Sequence, residues 1–276
     1  MRARYDVEWG KELGFFVSKA RTWNRVLRTD GPAAALSLFV GRIRRVSRTI
    51  PGGLIRLGPC LFRSDSQSRE LLLEGTYEEN ERFATKHYVR PDIPIVEFGG
   101  SLGIVSCLLN RRLRIPHRHV VVEANPLNLP MLVGNRNRNG CKFEILHGAA
   151  GVTEKRVRLY FGDGALMASS IATADDSVEV DSVSLGEVIR DRGFESCALI
   201  CDIEGSEINL IQSEIDTFRS RVEVFIVEFH PRINGPETVE HARRFLKANG
   251  FEELWQRGDV YVFRNTSQIE RNASPR

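Results

Sequence analysis

A glycine-rich turn between two apolar runs constrains the fold of this chain more than any other feature. Residues 95–103 read Ile-Val-Glu-Phe-Gly-Gly-Ser-Leu-Gly, and the run at 120–122 ends at Glu123, about 20 residues after the last glycine. The first run predicts a buried strand, residues 102–113 predict a helix, and the second run predicts a parallel neighbouring strand. Glycine suits the connection because it lacks a Cβ and tolerates a tight turn. The segment therefore predicts a β-α-β unit of a parallel sheet.

The same unit predicts an adenosine-binding site. In sheets of this kind a strand-end carboxylate such as Glu123 accepts hydrogen bonds from both ribose hydroxyls, and a glycine turn lets a ligand approach the backbone. The turn lacks the Gly-Lys-Ser/Thr ending that a triphosphate with Mg²⁺ requires. Glu97 would repel a pyrophosphate, but it would attract an amino group or a sulfonium. These features favour S-adenosylmethionine over NAD, and the alternative is that the glycines serve packing alone.

Polar side chains also follow two later apolar runs. Asp202 and Glu204 come after the first of these runs, and Glu228 and His230 come at the end of the second. Because the carboxyl ends of parallel strands meet at one edge of a sheet, we expect all four side chains to converge near the glycine turn. Burying them there destabilises the fold unless they bind something.

Two other interpretations of these four residues stay open. Asp202 and Glu228 could cap the segments that follow them, with His230 as a histidine bonded within the protein. Hard oxygen ligands together with an imidazole also suit a divalent metal. We favour a metal-free site, because the sequence does not define the geometry of a metal site.

Strand and helix patterns alternate from residue 93 onward, which predicts a mostly parallel α/β sheet with helices on both faces. The predicted strands are 94–98, 118–123, 142–147, 156–161, 177–181, 197–202, 222–228, 251–256 and 259–264. The predicted helices of this region are 102–113, 126–139, 184–191, 206–218 and 236–248. Only Arg257-Gly258-Asp259 joins the last two strands, so they should pair as an antiparallel hairpin.

The chain is expected to have three parts. Residues 1–90 form an N-terminal helical and hairpin extension, residues 91–265 form the ligand-binding α/β domain, and residues 266–276 form a polar tail. Within the extension, the predicted elements are helices at 10–28, 33–47, 68–73 and 78–89 and a hairpin around Gly58-Pro59. With 276 residues, of which 42% are hydrophobic, the chain can bury a core of this size.

Charge and cysteine usage restrict the partners and the compartment. Residues 1–50 carry eleven Lys/Arg against four Asp/Glu, whereas the whole chain has a net charge of only +3. We interpret this excess as a solvated helical face, with peripheral contact to an anionic membrane surface or an anionic substrate as the alternatives. Five cysteines without a Cys-x-x-Cys pair predict reduced, mostly buried thiols in a cytoplasmic protein. No apolar stretch approaches the roughly 20 residues that span a bilayer.

Taken together, the motifs resemble those of the FkbM-type S-adenosylmethionine-dependent methyltransferases over residues 53–264. The segment from Glu97 to Gly103 matches the family's acidic residue followed by x-Gly-Ala-Asn-x-Gly, with Ser101 in place of the Asn. Further matches, in chain order, are Arg63-Ser64-Asp65, Leu73-Glu74-Gly75, Glu123-Ala124-Asn125-Pro126, Asn135 to Gly140, His147-Gly148-Ala149-Ala150, Ser169-Ser170-Ile171, Asp202-Ile203-Glu204-Gly205 and Glu228-Phe229-His230. Ile200 replaces the family's Lys. We expect Ile200 on the same side as Asp202, which leaves a cationic group missing near the site.

The resemblance implies a Rossmann-like class I methyltransferase fold and methyl transfer to a hydroxyl of a sugar or another small natural product. His230 is the expected base, oriented or assisted by Asp202, Glu204 and Glu228. The implied cofactor contacts are Glu97, Gly99, Gly100, Ser101, Gly103, Glu123, Ala124, Asn125, Ala149, Ala150 and Asp202. The alternatives are a non-catalytic cofactor-binding module of the same fold and an NAD-dependent enzyme. No nucleic-acid partner is expected, because the basic excess lies away from this site and no base-handling motif is present.

Overall fold

The computed structural model describes residues 47–151, 154–161, 168–169 and 177–267. The chain divides into two compact units, Met1–Tyr77 and Glu78–Arg276. Predicted helix 10–28 and almost all of predicted helix 33–47 lie outside the described residues, as do most of the basic segment and most of the polar tail. Among the helices that the structure describes, none is long and apolar enough to cross a membrane.

The described part of the smaller unit is an antiparallel sheet followed by a helix. Strands β1 (Thr49–Ile50), β2 (Leu54–Leu57) and β3 (Cys60–Phe62) pair in that order, so β2 and β3 form the hairpin predicted around Gly58-Pro59. Helix α1 (Ser66–Glu74) follows them. It begins after Asp65, whose side chain accepts hydrogen bonds from the backbone N–H groups of Gln67 and Ser68. It ends at Gly75, which adopts the left-handed conformation that favours glycine.

The larger unit alternates strands and helices, as the sequence pattern predicts. Its strands are β4 (Ile95–Phe98), β5 (His119–Glu123), β6 (Glu144–His147), β7 (Arg156–Phe161), β8 (Ala168–Ser169), β9 (Ser177–Asp181), β10 (Cys197–Cys201), β11 (Val222–Glu228), β12 (Phe251–Arg257) and β13 (Val260–Asn265). Its helices are α2 (Glu79–Tyr88), α3 (Ile104–Asn110), α4 (Leu129–Arg138), α5 (Leu185–Asp191), α6 (Glu207–Ser213), α7 (Ile215–Arg221), α8 (Pro231–Asn234) and α9 (Pro236–Ala248). Predicted helix 78–89 corresponds to α2, which therefore belongs to this unit.

A seven-stranded sheet with the order β12-β13-β11-β10-β4-β5-β6 forms the centre of the larger unit. Every pair from β11 to β6 is parallel, while β13 runs antiparallel to both β11 and β12. The prediction of a mostly parallel α/β sheet with a C-terminal antiparallel hairpin is confirmed. The chain passes from β4 through β5 to β6 and then crosses to β10, on the other side of β4. This reversal of strand order creates the crevice in which such sheets bind ligands.

Helices cover both faces of this sheet, because successive strand residues point to opposite faces. One face packs residues such as Phe98 and Phe225 against α5, α6, α7 and α9. The opposite face packs Ile95, Ile200 and Ile226 with residues of α2 and α3. Both faces of the central strands are therefore apolar, as expected for a parallel sheet.

Two local features differ from the prediction. Strands β7 and β9 form at the predicted residues, but they pair with each other in a separate antiparallel sheet, in which β8 pairs with the other side of β7. Their charged side chains, including Arg156 and Asp181, pair across the strands in solvent, which suits an antiparallel pair with one polar face. Predicted helix 206–218 is two helices, α6 and α7, which meet at Glu214.

Candidate active site

The residues predicted for the site lie at the carboxyl ends of five adjacent strands. The cofactor candidates follow β4, β5 and β6, whereas the acidic residues and His230 follow β10 and β11. The two groups meet where β4 lies beside β10. There the Asp202 N–H donates to the Phe98 carbonyl at 2.9 Å, directly before Gly99. This is also where the strand order reverses, so both groups border the crevice of the sheet.

The glycine turn packs tightly against the protein itself. A Cβ on Gly99 would lie 1.7 Å from the backbone oxygen of Asp202, and Gly99 has a φ of +90°. A Cβ on Gly100 would lie 2.5 Å from the Val121 side chain, and one on Gly103 would lie 2.6 Å from Leu132. The expectation that a ligand demands these glycines is therefore incomplete, because neighbouring strands and α4 already exclude a Cβ. Packing was the alternative interpretation of the turn.

Glu97 is enclosed beneath the turn. It is 2% exposed, and its carboxylate accepts a hydrogen bond from the Ser106 hydroxyl at 2.7 Å and contacts Nε2 of His119 at 3.0 Å. His119 is fully buried and contacts Asn110 through its other ring nitrogen. Both oxygens of Glu97 thus have partners inside the protein. This corrects the prediction that Glu97 offers a carboxylate to the cofactor, since the group it binds is His119.

Glu123, at the end of the neighbouring strand, holds the turn through hydrogen bonds. Its Oε2 accepts a hydrogen bond from the Ser101 N–H at 2.6 Å, and its Oε1 accepts from the Asn125 N–H at 2.7 Å and from the Asn128 side chain at 3.4 Å. Burial raises the pKa of the Glu123 carboxyl, and these hydrogen bonds oppose the rise. Ser101 has a φ of +45°, a left-handed conformation that Asn adopts more readily than most residues. The Ala124 backbone also donates to this carboxylate, so donors of the protein itself match its roughly four lone-pair sites.

The remaining cofactor candidates line the end of the sheet near β5 and β6. Ala149 and Ala150 are buried, and Ala149 forms a bridge with Ser182. Ala124 packs against the small cluster that contains Ala149. Asn125 is buried, and its side chain accepts a hydrogen bond from the Leu127 N–H at 3.0 Å. These residues form an apolar wall beside Glu123.

The acidic residues and His230 converge as the sequence predicts. The His230 Nε2 atom lies 3.5 Å from Oδ1 of Asp202 and 3.3 Å from Oε2 of Glu204. Its Nδ1 atom lies 3.0 Å from Oε1 of Glu207. Glu204 reaches this position with a φ of +53°, which is unusual for a residue with a long side chain. The Asp202 Oδ1 atom is buried and has no hydrogen-bond partner among the described residues.

Glu207 positions this cluster, although the sequence analysis did not select it. It is fully buried at the start of α6, and its Oε1 also accepts hydrogen bonds from the N–H groups of Ile203 and Gly205. These bonds fold the segment after β10 back toward His230. In the sequence, Glu207 is the third acidic residue of the run Asp202-Ile203-Glu204-Gly205-Ser206-Glu207. It was not selected as a site residue, because a glutamate in the first turn of a helix usually interacts favourably with the helix dipole.

The charges of the cluster alter its protonation. Desolvation alone would lower the pKa of His230, but the hydrogen bond and charge of Glu207, together with Glu204 and Glu228, raise it to about 9. Burial, followed by repulsion from Glu204 and other carboxylates, raises the pKa of Asp202 well above its usual range. The carboxylates around His230 therefore favour its protonated form in this cluster. The role of His230 as the base stays a prediction, and Asp202 is the other candidate for that role.

Glu228 belongs to a neighbouring carboxyl pair. Burial and a hydrogen bond with Glu81 of α2 raise the pKa of Glu228 to about 10, and the charge of Asp202 adds to the rise. Glu81 is buried, and its position on a helix far away in the chain gave no sign of this contact. Ile200 is a 4% exposed core residue that pairs in register with Glu97. The substitution of isoleucine for the family's lysine therefore lies in the core and not in the open site.

Solved structures with some similarity to the chain include methyltransferases. A precorrin-6y C5,15-methyltransferase from Geobacter metallireducens GS-15 has 12% identity and a TM-score of 0.43, over 73% of this chain and 92% of that one. A putative tRNA (m1A22) methyltransferase from Streptococcus pneumoniae, in complex with S-adenosyl-L-methionine, has 12% identity and a TM-score of 0.43, over 68% and 72%. A putative O-methyltransferase from Klebsiella pneumoniae has 13% identity and a TM-score of 0.41, over 67% and 78%.

A comparison with curated proteins finds no significant match. The sequence model of the methyltransferase FkbM domain, however, matches residues 100–253, which is more than half of the chain. The matched region begins within the glycine turn and includes Glu123, the cluster around His230 and the helices that hold them. The resemblance inferred from the motifs is confirmed, and this chain is a methyltransferase that belongs to the FkbM family.

Proposed function

We propose that this protein transfers a methyl group from S-adenosylmethionine to a hydroxyl oxygen of a small molecule, such as a sugar or another natural product. The observation that carries this proposal is the contact between the two halves of the site. The backbone of Asp202 packs on the glycine turn, while its Oδ1 atom, which has no hydrogen-bond partner among the described residues, faces His230. A cofactor on one side of β4 and an acceptor on the other would thus lie next to each other.

The cofactor half has a place for each part of an adenosine. Glu123 holds the turn through Ser101 and Asn125, and a ribose hydroxyl would replace its long 3.4 Å hydrogen bond with the Asn128 side chain. Ala149 and Ala150 offer an apolar surface for the adenine. Since Glu97 is enclosed, the methionine part would meet the turn backbone. Asp202, which we predicted for both halves, directs its carboxylate to the acceptor side.

The acceptor half supplies proton chemistry. Methyl transfer forms an oxygen–carbon bond and breaks the sulfur–carbon bond of the sulfonium, which leaves as a neutral thioether. The protein has to align the two reactants and take the hydroxyl proton. Asp202 is the proton acceptor in this proposal, because its buried Oδ1 atom has no hydrogen-bond partner within the described part of the chain and lies next to the glycine turn. His230, which Glu207 orients through Nδ1, lies beside that carboxylate with its Nε2 atom 3.5 Å from Oδ1.

Calorimetric titration tests the cofactor. We expect S-adenosylmethionine to bind with a stoichiometry of one and NAD not to bind. Binding of NAD alone would overturn the proposal in favour of a dehydrogenase. Methyl incorporation from labelled cofactor into small-molecule extracts then distinguishes a transferase from a module that only binds the cofactor, which would label nothing.

The Asp202→Asn variant tests the proton acceptor. Loss of a positioned base lowers turnover by roughly 10²–10⁴-fold. We expect this loss with an S-adenosylmethionine affinity close to that of the parent chain. Asp216→Asn, an equivalent change at an exposed position of α7, should leave both quantities unchanged. Equal turnover of the two variants would remove Asp202 from the mechanism.

A further inference from the structure

Three side chains of the acceptor half are spaced like the ligands of one metal ion. One ligand atom each from Asp202, Glu204 and His230 lies within 4.8 Å of the others. The Nε2 atom of His230 is 3.5 Å from the Asp202 oxygen and 3.3 Å from the Glu204 oxygen. Ligands about 2.1 Å from a common ion stand about 3.0 Å apart in an octahedral site and about 3.4 Å apart in a tetrahedral site. The two distances from His230 Nε2 are close to these values, and the Asp202 and Glu204 oxygens lie within 4.8 Å of each other.

Two buried carboxylate oxygens in and beside this cluster lack a hydrogen-bond partner among the residues that the structure describes. The Asp202 Oδ1 atom is buried and has no hydrogen-bond partner within the described part of the chain, although it faces the other two side chains. Glu207 is 0% exposed, and its Oε2 atom also has no such partner. Buried carboxylate oxygens are rarely left in this state, because desolvation without a hydrogen bond or an ion destabilises the fold. A cation beside Asp202 would complete the site.

The surroundings of His230 match those of a metal-ligating histidine. Metal ligands of this type usually direct their second ring nitrogen to a carboxylate, which sets the tautomer and the ring orientation. Here Nδ1 lies 3.0 Å from Glu207, so Nε2 is the atom left to face Asp202 and Glu204. The three side chains are between 16% and 27% exposed, which leaves a path for an ion from solvent.

We propose that Asp202, Glu204 and His230 form a binding site for a divalent cation of the Mg²⁺ or Mn²⁺ class. Two carboxylates and one imidazole are a hard donor set, and the absence of thiolate ligands disfavours softer metals. Three protein ligands leave about three positions of an octahedral ion open. The site would therefore bind both the ion and an external oxygen ligand.

The ion would also determine which class of acceptor binds at the site. This inference rests on the proposed methyl transfer. A hydroxyl bound to the ion would lie beside the glycine turn, and an acceptor with two adjacent oxygens, such as a vicinal diol, could occupy two open positions. Coordination would lower the pKa of the hydroxyl, which would pass its proton to the Asp202 oxygen that does not bind the ion before the methyl group is transferred. Asp202 would thus serve both as a ligand and as the proton acceptor of the proposed function.

Binding of Mn²⁺ to the full chain tests the site without any need for activity. The chain is freed of metals with a chelator, and the loss of the free-ion signal in electron paramagnetic resonance is followed as Mn²⁺ is added. We expect one bound ion, and we expect Mg²⁺ to compete for it. Asp202→Asn and Glu204→Gln should each weaken the affinity at least about tenfold. Glu237→Gln, the same loss of charge at an exposed position of α9, should bind Mn²⁺ as the parent chain does.

Separate measurements distinguish the outcomes. Absence of Mn²⁺ binding by the parent chain, or equal affinity in all variants, would overturn the metal site. Titration with S-adenosylmethionine verifies that each variant retains its fold, and Glu204→Gln provides a second test if Asp202→Asn does not. Methyl transfer that continues in chelator would contradict the role of the ion while leaving the proposed function intact. Mn²⁺ binding without S-adenosylmethionine binding would contradict the proposed function and leave the metal site intact.

Discussion

Gly99 links the two halves of the site at the scale of a single residue. Its missing side chain lets the end of β10 approach the end of β4, and its φ of +90° turns the chain toward α3. The atom that excludes a Cβ is a backbone oxygen, which cannot rotate away as a flexible side chain could. The glycine is therefore needed for the protein to fold.

Gly99→Ala should destabilise the larger unit by about 3 kcal/mol or more, because it combines a backbone clash with an unfavourable φ. Urea denaturation measures this change. Gly134→Ala is the matched control, since Gly134 lies within α4 with open space around its Cβ position. There the same substitution should stabilise the chain by about 0.5–1 kcal/mol. Equal effects of the two substitutions would contradict the assigned cause.

Glu228 gives stability a dependence on pH. The folded chain keeps the carboxyl proton up to a pKa of about 10, whereas the unfolded chain releases it near the ordinary value of 4.5. Between these values the folded state holds the extra proton, so stability falls as pH rises, by at most about 1.4 kcal/mol per pH unit. His230, with a folded pKa of about 9, adds a fall in the same direction above its ordinary 6.5.

Glu228→Gln should reduce this fall, because an amide replaces the protonated carboxyl. Urea midpoints at pH 6 and pH 9, measured in chelator, provide the test. We expect the variant to lose less stability between the two values than the parent chain. Glu252→Gln, at an exposed position of β12, should follow the parent curve. Parallel curves for all three proteins would show that Glu228 does not hold the proton.

At the scale of elements, side chains from distant parts of the chain form hydrogen bonds with the backbone groups at the ends of helices. Glu214, where α6 meets α7, accepts hydrogen bonds from the N–H groups of Leu185 and Gly186 and so caps α5. This contact explains why the predicted single helix at 206–218 breaks there. Asn265, at the end of β13, is fully buried and donates to backbone carbonyls at the end of α7, among them that of Val222 at 3.0 Å.

Asn265→Ala should destabilise the larger unit by about 1–3 kcal/mol, because it leaves buried carbonyl groups of α7 without donors. The free energy of unfolding in urea measures the loss. Asn137→Ala, at an exposed position of α4, should change it by less than about 0.5 kcal/mol. A similar small effect at Asn265 would mean that water replaces the lost donor.

The success of the sequence predictions depended on how local each signal was. The main strands were found because runs such as 197–201 are apolar on both faces, and the last hairpin because three turn residues join its strands. The partners of β7 and β9 were not found, because an amphipathic strand pattern does not say which sheet it joins. In the site, the convergence on His230 followed from strand ends alone. The partners His119, Glu81 and Glu207 were missed, because contacts between side chains from distant parts of the chain leave no local pattern.

At the scale of the whole molecule, the residues proposed to bind the cofactor and those proposed for proton transfer lie at different strands of one sheet edge. Strands β4, β5 and β6 bring together the residues proposed for the cofactor, and β10 and β11 bring together the acids and the histidine. The matched family domain includes both halves. A change of acceptor during evolution would therefore alter the β10 and β11 side while the turn at β4 stays the same.

The hydrogen bonds that Glu123 accepts from Ser101 and Asn125 affect how a ligand would bind at the turn. The Glu123 side chain fixes the backbone of the turn through the N–H group of Ser101, and it fixes its own strand end through that of Asn125. The conformational entropy of shaping this loop is lost when the chain folds and not when it associates with a ligand. A ligand would therefore bind at the glycine turn with little change in the conformation of the turn. Any rearrangement that catalysis needs would occur in the other half of the crevice, at the ends of β10 and β11.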